Sequence, residues 1–410
     1  MPASAADMPI SPVTQAVVLV GGKGTRLGSL TQNVPKPLLE IAPNLRFLDT
    51  LLFELARHGF NDIVLLAGHL GEQVEAAYQN RRVLDAAVRV VRELEPQGTG
   101  GALKFAEGIL DPWFLMANGN SLFEFNFRAL AADRPLGMIG RLALRDVADP
   151  ARYGAVEVDN GRITKFREKD PSLKGPALIN GGVYLLSRDI LAHIPGACSI
   201  EADVFPRLAS EGRLEGRAFD GYFLDIGLPD TLAQARLEIP GRKVRPCAFL
   251  DRDGVINVDA GYTFRAEDLR FVTGAAKAIR RLNDSGYYVI VVSNQAGVAR
   301  GLYSEADIAA FHREISVQLA DVGAHIDAYY YCPFHPEGVL EQYCHPDHPD
   351  RKPNPGMILR AKKDWPIDVT KSFLIGDRST DLEAAAAAGL PGILFEGGDL
   401  DELMQRQLAG

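Results

Sequence analysis

The chain has 410 residues, a net charge of −9 and 47% hydrophobic residues. This length exceeds one ordinary hydrophobic core, so we expect at least two domains, and the negative charge argues against a broad nucleic-acid surface. The four cysteines show no disulfide spacing, and no apolar run reaches the ~18 residues of a membrane helix. We therefore expect a cytoplasmic protein with small-molecule substrates and without nucleic-acid or membrane partners.

The N-terminal half alternates predicted strands with predicted helices. Residues 1–14 precede them and lack a signal-peptide pattern, so we expect a flexible tail there. The apolar runs predict strands at 15–20, 62–67, 87–92, 113–117, 137–144, 154–158, 163–167, 177–186 and 222–227, and helices at 45–58, 71–80 and 229–235. This alternation predicts an α/β domain with a doubly wound sheet over residues 15–237.

Two glycine-rich turns in this half suit phosphate binding. The first, GGKGTRL, follows the first predicted strand, and its glycines let backbone N–H groups approach a phosphate closely. Within it, Arg26 adds a planar charged fork. Lys36 stands between two prolines that fix the local backbone, which presents its ammonium group at a rigid position. The second turn, over residues 95–103, opens a helix.

The ordered motifs GGKGTRL, VPKPLL, QGTGGAL, NGG and DIGLPD resemble the sugar-1-phosphate nucleotidylyltransferases, and among them the heptose-1-phosphate guanylyltransferases. The resemblance implies a Rossmann-like mixed sheet and a magnesium-dependent attack of a sugar phosphate on a nucleotide α-phosphate. The residues that it implies are Gly21, Gly22, Gly24 and Arg26 for the nucleotide phosphates, Lys36 for the α-phosphate, Gly98 and Thr99 for the base and ribose, Lys165, Glu168, Lys169 and Asn180 for the sugar phosphate, and Asp225 for the metal.

One position departs from the pattern of that family. The family places a magnesium-binding Asp where this chain has Asn120, and a neutral carbonyl oxygen is a weaker ligand for a hard cation than a carboxylate. Asp225 and the nucleotide phosphates would then hold the ion more weakly. The sequence leaves open a slow transferase, an inactive one, a sequence variant at this position, and a loop residue without a role.

A second α/β domain is predicted over residues 247–410. The polar stretch 238–246 contains two prolines and no apolar period, which predicts a semi-rigid linker before this domain. The predicted elements that follow are strands at 248–250, 287–292, 325–331 and 372–375 and helices at 274–285 and 304–322. Strands that alternate with helices favour a parallel sheet.

Polar side chains follow the predicted strands of this domain. Asp251 and Asp253 are two residues apart at the end of a strand, so their carboxylates can face the same way. Ser293, Lys352 and Asp377 lie in polar clusters that follow the later strands. Because the carboxyl ends of parallel strands lie on one side of a sheet, these groups predict one metal-assisted phosphoryl-transfer site.

The motifs DRDGVIN, SNQAGVARG, RKPNPGM and GDRSTD resemble the haloacid-dehalogenase-type phosphatases, in particular heptose-bisphosphate phosphatases and their histidinol-phosphatase relatives. The resemblance implies that Asp251 is the nucleophile, that Asp253 is first acid and then base, and that Ser293 and Lys352 hold the phosphate. It implies magnesium ligands from Asp251, Asp377 and the backbone carbonyl of Asp253. The implied sugar or second-phosphate contacts are Asp259, Tyr262, Asn294, Gln295, Arg300, Arg351 and Arg378, the last of which stands where the family usually has Lys.

The stretch before Arg351 raises a question about zinc. Many relatives carry Cys-x-His and Cys-x-Cys pairs there, whereas this chain has Phe334 at the first His position and His348 and Asp350 in place of two cysteines. The remaining candidate ligands are Cys332, His335, Cys344, His345 and His348. We favour a metal-free, proline-rich loop and keep a zinc site as the alternative.

Taken together, these motifs predict a bifunctional magnesium enzyme of nucleotide-activated heptose synthesis. One half would remove the 7-phosphate of D-glycero-D-manno-heptose 1,7-bisphosphate, and the other would join heptose 1-phosphate to GTP to give GDP-heptose. The alternatives are a phosphatase fused to a weakly active or non-catalytic nucleotide-sugar binding module, and a phosphatase that acts on histidinol phosphate. The anomer, the base and the oligomeric state, including a homo-oligomer, stay open.

Overall fold

The computed structural model describes residues 11–93, 95–150, 153–167 and 175–409. The chain divides into two compact units, one of which is Val13–Gly241, while the other contains Arg242–Gly410. Both units are α/β, as predicted. Residues 1–10 of the expected tail lie outside the described part. Val13 is buried and the carbonyl of Thr14 accepts two backbone hydrogen bonds, so the end of the predicted tail belongs to the fold.

The first unit carries a large sheet with helices around it. Its described strands are β1 (Gln15–Leu19), β2 (Glu40–Ala42), β3 (Leu45–Arg46), β4 (Asp62–Ala67), β5 (Arg82–Val83), β6 (Ala86–Arg92), β7 (Trp113–Asn118), β8 (Ser121–Phe123), β9 (Gly140–Val147), β10 (Ala155–Asp159), β11 (Arg162–Arg167), β12 (Ala177–Ser187), β13 (Leu214–Ala218) and β14 (Phe223–Asp225). Its described helices are α1 (Phe47–Arg57), α2 (Gly71–Tyr78), α3 (Gly98–Phe105), α4 (Phe127–Ala131), α5 (Phe205–Ser210) and α6 (Pro229–Arg242).

The large sheet is mixed, which confirms the predicted architecture. Its ten strands have the order β10-β11-β13-β9-β12-β7-β1-β4-β6-β5. The central strands β7, β1, β4 and β6 are parallel, whereas β12 is antiparallel to both of its main neighbours, β7 and β9. Two smaller pairs, β14 with β8 and β2 with β3, stand apart from this sheet.

Hydrophobic side chains cover both faces of this sheet. Along β1, Ala16 and Val18 belong to one buried cluster and Val17 to the other, because successive strand residues point to opposite faces. Helix α1 covers one face with Leu48, Leu52 and Leu55, whose spacing repeats along one side of a helix. The central strands are therefore fixed between two apolar layers, and their loops are free to carry polar groups.

Several predicted boundaries in this unit were wrong, among them those of two helices. Leu45–Arg46 forms β3, which pairs with β2, so the helix begins only at Phe47. Helix α6 continues to Arg242 and includes the first five residues of the predicted linker. The reason is an apolar period that the prolines obscured, since Leu232, Ala235 and Ile239 all lie in one buried cluster.

The second unit is built on a five-stranded sheet in which all described pairings are parallel. Its strands are β15 (Cys247–Leu250), β16 (Tyr288–Asn294), β17 (Ala328–Cys332), β18 (Phe373–Gly376) and β19 (Gly392–Leu394), in the order β17-β16-β15-β18-β19. Its helices are α7 (Ala275–Asp284), α8 (Glu305–Asp321), α9 (Gly356–Asp364), α10 (Ser379–Ala387) and α11 (Leu400–Ala409). The four predicted strands are present, and β19 was not predicted.

Among the helices that the structure describes, we find none with the length and apolar character needed to cross a membrane.

Candidate active sites

The carboxyl ends of β15, β16, β17 and β18 lie along one edge of the second unit's sheet, around a cavity of about 560 Å³. The residues that line it are Asp251, Asp253, Asp259, Gly261, Tyr262, Ser293, Asn294, Ala296, Arg300, Tyr303, His335, Arg351, Lys352, Arg378, Ser379, Thr380 and Asp381. We call it the phosphatase-type cavity. It brings together most of the residues that the second resemblance implies, and its lining omits Gln295 and Asp377.

A buried lysine lies at the floor of this cavity. The ammonium group of Lys352 is 2.9 Å from an oxygen of Asp251 and 2.6 Å from an oxygen of Asp381, and it donates to the carbonyl of Val292. Asn294 holds the backbone of Lys352 through two hydrogen bonds of 3.0 Å. Burial lowers the pKa of Lys352, but the two carboxylates outweigh it and the net pKa is raised. Lys352 therefore stays a cation beside Asp251.

The environment of Asp251 disfavours its charge when only protein groups surround it. Burial raises the pKa of Asp251 to about 7, Lys352 acts against this shift, and the carboxylates of Asp381 and Asp253 add to it. A cation at this point would favour the charged form.

Three carboxylates converge at the same place. Ligand oxygens of Asp251, Asp377 and Asp381 all lie within 4.8 Å of one another. One oxygen of Asp377 is buried and has no hydrogen-bond partner among the described residues, and burial followed by the charge of Asp381 raises the pKa of this carboxyl. An unpartnered carboxylate oxygen beside two others matches the hard oxygen ligands that Mg²⁺ prefers. The residues present therefore fit a divalent cation.

The sequence motifs located two of these three acids. Asp381 was not predicted as a ligand, although it belongs to the quoted GDRSTD motif. It lies in the first turn of α10, four residues after Asp377, and this spacing was the signal that could have found it. Gly254 follows Asp251 and Asp253 in the chain and has φ 86°, and a Cβ at this position would collide with Asp377. The glycine therefore keeps the β15 loop close to the acid that follows β18.

The carboxylate of Asp253 is held by three neighbours. It accepts hydrogen bonds from Arg252 at 2.8 Å, from Asn257 at 2.9 Å and from Gln295 at 2.9 Å. Arg252 is fully buried, and its guanidinium lies 4.7 Å from the ring centre of Phe311. Sequence reasoning gave no role to Arg252 or Asn257, although both lie within the motif DRDGVIN.

Three arginines line the phosphatase-type cavity. Arg378 pairs with Asp259 at 3.2 Å, and Arg351 donates to the carbonyl of Phe334. Arg300 lies 5.9 Å from the ring centre of Tyr262. With Lys352, the lining holds four Lys and Arg side chains, and it also holds four carboxylates, those of Asp251, Asp253, Asp259 and Asp381.

The loop that follows β17 contains the candidate zinc ligands. The ring of Phe334 stacks on His348 with centroids 4.0 Å apart, and the Sγ of Cys332 is 3.8 Å from Nδ1 of His348. The Nδ1 atoms of His335, His345 and His348 each accept a backbone N–H from two residues further on. Within the described ranges, the acid cluster above is the only convergent group of three or more potential metal ligands. The metal-free loop stays a prediction, with the zinc site as its alternative.

The first unit contains two adjoining cavities of about 300 Å³ each, which share Arg26 and Asn120. The first is lined by Leu19, Val20, Gly22, Lys23, Gly24, Thr25, Arg26, Lys36, Pro37, Asn120 and Gly227. The second is lined by Arg26, Asn118, Asn120, Ser121, Tyr153, Gly154, Phe166, Asn180, Gly181, Gly182, Ser199, Glu201, Phe223 and Asp225. The glycine-rich turn, the lysine between prolines and the acid that ends β14 are thus brought together.

Asn120 and Asp225 meet where these cavities join. The pairing of β8 with β14 sets Asp225 opposite Ser121, next to Asn120. The amide N–H₂ of Asn120 donates to Asp225, whose carboxylate also accepts from the hydroxyl of Ser121 at 3.1 Å and the backbone N–H of Gly227 at 2.8 Å. The ammonium group of Lys36 lies 4.0 Å away. Donors therefore surround the one carboxylate at this point.

Some residues implied by the first resemblance lie elsewhere. Lys165 pairs with Glu157 on the neighbouring strand at 3.6 Å, and it lies next to Phe166, whose side chain lines the second cavity. Successive strand residues point to opposite faces, so the structure does not bring Lys165 into this cavity. Gly21 packs against the backbone of Gly68 and does not line either cavity. Glu168 and Lys169 lie outside the described residues.

The turn at α3 contains an acid that sequence reasoning missed. Gly98 begins the helix with φ 71° and packs against the carbonyl of Cys198. The hydroxyl of Thr99 donates to Glu201 at 2.6 Å, and Glu201 in turn lines the second cavity. Asn180 also lines this cavity, and its amide donates to Tyr184. Only a motif that spans both segments could have revealed Glu201.

The fold and these two sites define a fusion of an α/β nucleotidyl transferase with a haloacid-dehalogenase-type phosphatase. The nucleotidyl transferase family model matches residues 15–241, and the HAD-hydrolase-like family model matches residues 350–407. The C-terminal part is similar to curated proteins described as D-glycero-beta-D-manno-heptose-1,7-bisphosphate 7-phosphatase. The one from Rhodopseudomonas palustris is 52% identical over 167 residues, which are 40% of this chain and 91% of that protein.

A second such phosphatase, from Escherichia coli K12, is 41% identical over 150 residues, which are 35% of this chain and 75% of that protein. Among solved structures, HddC from Yersinia pseudotuberculosis matches with a TM-score of 0.50 and 28% identity, over 55% of this chain and all of that one. The chain therefore belongs to the nucleotidyl transferase family in its N-terminal half and to the haloacid-dehalogenase-type phosphatases in its C-terminal part.

Proposed function

We propose that the C-terminal unit removes the 7-phosphate of D-glycero-D-manno-heptose 1,7-bisphosphate and that the N-terminal unit joins the resulting heptose 1-phosphate to GTP, giving GDP-heptose and pyrophosphate. The observation that carries the first activity is the buried Lys352 between Asp251 and Asp381, beside the acid cluster, in a unit that shares 52% identity with a heptose-bisphosphate phosphatase. The motif order and the likeness to HddC support the second activity.

In the first step of the phosphatase reaction, an oxygen of Asp251 bonds to phosphorus while the bond from phosphorus to the sugar oxygen breaks. Asp253 gives its proton to that leaving oxygen. In the second step, water bonds to phosphorus, its proton passes to Asp253, and the bond to Asp251 breaks. Ser293 and Lys352 hold the phosphoryl oxygens in both steps. Asp253 gives up one proton in the first step and regains one in the second, so it ends the turnover as it began.

Asp251, Asp377, Asp381 and the backbone carbonyl of Asp253 would hold Mg²⁺ in this site. A bound magnesium ion supplies positive charge that neutralises the phosphoryl oxygens and lowers their repulsion of the carboxylate nucleophile. The buried, unpartnered oxygen of Asp377 is the observation that supports this assignment. Asp381 thereby joins the expected ligands.

The arginines of the phosphatase-type cavity favour a substrate with a second phosphate. A cavity of about 560 Å³ lies in the range that small-molecule ligands occupy, and Lys352 already serves the reacting phosphate. Arg300, Arg351 and Arg378 are then available for the distal phosphate, together with Asp259 and Tyr262 for the hydroxyl groups. Arg378 is paired with Asp259 at 3.2 Å and Arg300 with Glu337 at 3.7 Å, so a distal phosphate would take over or join these pairs.

In the transferase reaction, Gly22, Gly24 and Arg26 would hold the nucleotide phosphates and Lys36 the α-phosphate. Attack by the sugar phosphate oxygen on the α-phosphorus forms a new pyrophosphate link while the bond to the departing pyrophosphate breaks. Asp225 and Asn120 would face the magnesium ion that accompanies the nucleotide. Gly98 and Thr99 at the α3 turn, and Asn180 in the second cavity, would face the nucleoside and the sugar phosphate respectively.

We propose a cytoplasmic enzyme whose partners are heptose phosphates and GTP. One experiment tests both halves on the full chain with Mg²⁺. Heptose 1,7-bisphosphate should give heptose 1-phosphate and one phosphate by ³¹P NMR, and added GTP should then give pyrophosphate and GDP-heptose by mass spectrometry. Hydrolysis of histidinol phosphate in preference to the heptose would contradict the first assignment. Nucleotide-sugar binding without pyrophosphate release, with each of the four nucleotides, would instead favour a binding module.

A further inference from the structure

Gln295 has every polar atom of its side chain engaged. Its amide nitrogen donates to Asp253 at 2.9 Å and to the hydroxyl of Ser293 at 2.7 Å, and its carbonyl oxygen accepts from the hydroxyl of Tyr303 at 2.8 Å. The side chain is almost fully buried and does not line the phosphatase-type cavity. The expectation that it contacts the substrate is therefore not met, and it touches two residues that act on the substrate instead.

Tyr303 determines which way this amide points. The N–H₂ of Gln295 faces Asp253, and the carbonyl oxygen of the same amide faces the hydroxyl of Tyr303. The hydroxyl of Tyr303 donates to the opposite end of the amide and stabilises this orientation. Burial raises the pKa of Tyr303 to about 12, so the hydroxyl keeps its proton. Its ring stacks on Phe264 with centroids 4.8 Å apart, which fixes the hydroxyl in turn.

The same amide orients both of its acceptors. Because the hydroxyl oxygen of Ser293 accepts from Gln295, its own O–H is directed to another acceptor, and a phosphate oxygen in the cavity is within the reach of such a donor. Gln295 donates to Oδ2 of Asp253, an oxygen that also accepts from Arg252. Asn257 donates to the other oxygen, so donors from separate segments of the chain hold this carboxylate. A single hydrogen-bonded chain thus runs from Tyr303 through Gln295 to a phosphate-binding group and to the acid.

We propose that Tyr303 and Gln295 are positioning residues that hold Asp253 for proton transfer to the leaving sugar oxygen. This inference rests on the acid role of Asp253 in the proposed function. It predicts an effect on one chemical step, since a displaced Asp253 still leaves Asp251, Lys352 and the acid cluster in place. The step that suffers is the protonation of a poor leaving group.

The test compares two leaving groups in the full chain with Mg²⁺. An alkoxide from heptose 1,7-bisphosphate needs a proton as it departs, whereas p-nitrophenolate from p-nitrophenyl phosphate does not. The ratio kcat/KM reports the steps up to release of the leaving group and excludes the later hydrolysis of the phosphoenzyme. Tyr303→Phe should lower this ratio for the heptose substrate about 10-fold and Gln295→Met about 100-fold, with less than about a 3-fold change for p-nitrophenyl phosphate.

Three further variants make the outcome decisive. Tyr331→Phe is the matched control, because the ring of Tyr331 packs against the small hydrophobic cluster that contains Tyr303 and its hydroxyl donates to Glu305. This variant should leave kcat/KM unchanged for both substrates. The double variant of Tyr303→Phe with Gln295→Met should be no slower than Gln295→Met alone, since Tyr303 acts through Gln295. Among these variants, Asp253→Asn should show the largest difference between the loss of kcat/KM for the heptose substrate and the loss for p-nitrophenyl phosphate.

Equal losses on the two substrates would overturn the inference, because a general structural defect or weaker phosphate binding lowers both alike. Additive effects in the double variant would also overturn it. If Asp253→Asn itself shows no selectivity, the acid role in the proposed function is what fails. If the wild type prefers histidinol phosphate, that alkyl phosphate replaces the heptose substrate and the same comparison still decides whether Tyr303 and Gln295 position the acid.

Discussion

The two candidate sites of this chain differ in the groups that surround their carboxylates. In the C-terminal unit, three carboxylates have oxygens within 4.8 Å of one another, Lys352 pairs with two of them, and the third, Asp377, has a buried oxygen with no hydrogen-bond partner among the described residues. In the N-terminal unit, the carboxylate of Asp225 accepts hydrogen bonds from Asn120, Ser121 and Gly227. The first arrangement leaves a carboxylate oxygen open to a cation, whereas in the second the carboxylate accepts three hydrogen bonds from neutral groups and has Lys36 4.0 Å away.

This difference implies different demands for magnesium. Carboxylates in close proximity repel one another, and a divalent cation relieves that repulsion, so the protein itself favours ion binding in the phosphatase-type cavity. Around Asp225, an arriving ion has to replace the hydrogen bond from Asn120. We infer that the C-terminal unit binds Mg²⁺ on its own and that the N-terminal unit receives it mainly with the nucleotide phosphates.

The largest expected effect separates the two activities completely. Asp251→Asn keeps the size of the side chain but removes the nucleophile, so phosphate release from the heptose bisphosphate should fall by at least ~1,000-fold. Pyrophosphate release by the same preparation should not change, because the transferase site belongs to another core. Residual phosphatase turnover of more than a few per cent would argue against the covalent mechanism.

A second variant tests which unit binds the metal ion. Asp377→Asn removes charge from the acid cluster, and the Mg²⁺ concentration for half-maximal phosphate release should rise by at least ~10-fold. Calorimetric titration of Mg²⁺ in the absence of nucleotide should lose its signal in the same variant. Asp225→Asn is the matched control, since it should leave this signal intact. A nucleotide-free signal that depends on Asp225 would remove the distinction between the two sites.

Asn120→Asp should make the transferase site more like the phosphatase-type cavity. The new carboxylate would repel that of Asp225, where Asn120 now donates a hydrogen bond. A magnesium ion between the two would relieve this repulsion and would stabilise the negative charge that grows on the α-phosphate oxygens. At saturating heptose 1-phosphate, GTP and Mg²⁺, pyrophosphate release should rise by about 10-fold or more, and phosphatase activity should stay the same. Equal rates in the two proteins would mean that Asn120 is an adequate ligand or lies away from the ion.

Sequence reasoning located residues at or just after the carboxyl ends of strands. Asp251, Asp253 and Ser293 fall at the carboxyl end of a parallel sheet, where the period of a strand and the topology together set their positions. Residues that act from a second segment were harder to find. Asp381 enters from the first turn of a helix, and Gln295 faces inward to Tyr303, and neither direction is encoded in a strand pattern.

The same limit appears in the N-terminal unit. Arg26 and Lys36 line a cavity as expected, because the glycines and prolines around them fix the backbone. Lys165 does not, since its strand position turns it toward Glu157. The departure at Asn120 was visible in the sequence, but its hydrogen bond to Asp225 depends on the pairing of two short strands far apart in the chain.

The smallest expected effect concerns the loop after β17. If ring stacking rather than zinc holds this loop, Phe334→Leu should lower its local stability by about 0.5–1.5 kcal/mol, because the contact with His348 is lost. Hydrogen exchange of the amides at 332–350 should become faster by the corresponding factor, while the strands of both sheets keep their rates. Elemental analysis of the purified protein should give far less than one zinc per chain, and a chelator should leave the loop's exchange unchanged. Stoichiometric zinc that survives dialysis, with a loop that opens when the zinc is removed, would instead identify Cys332 and His348 as ligands. The C-terminal unit would then hold two kinds of metal ion and contrast with the N-terminal unit even more strongly.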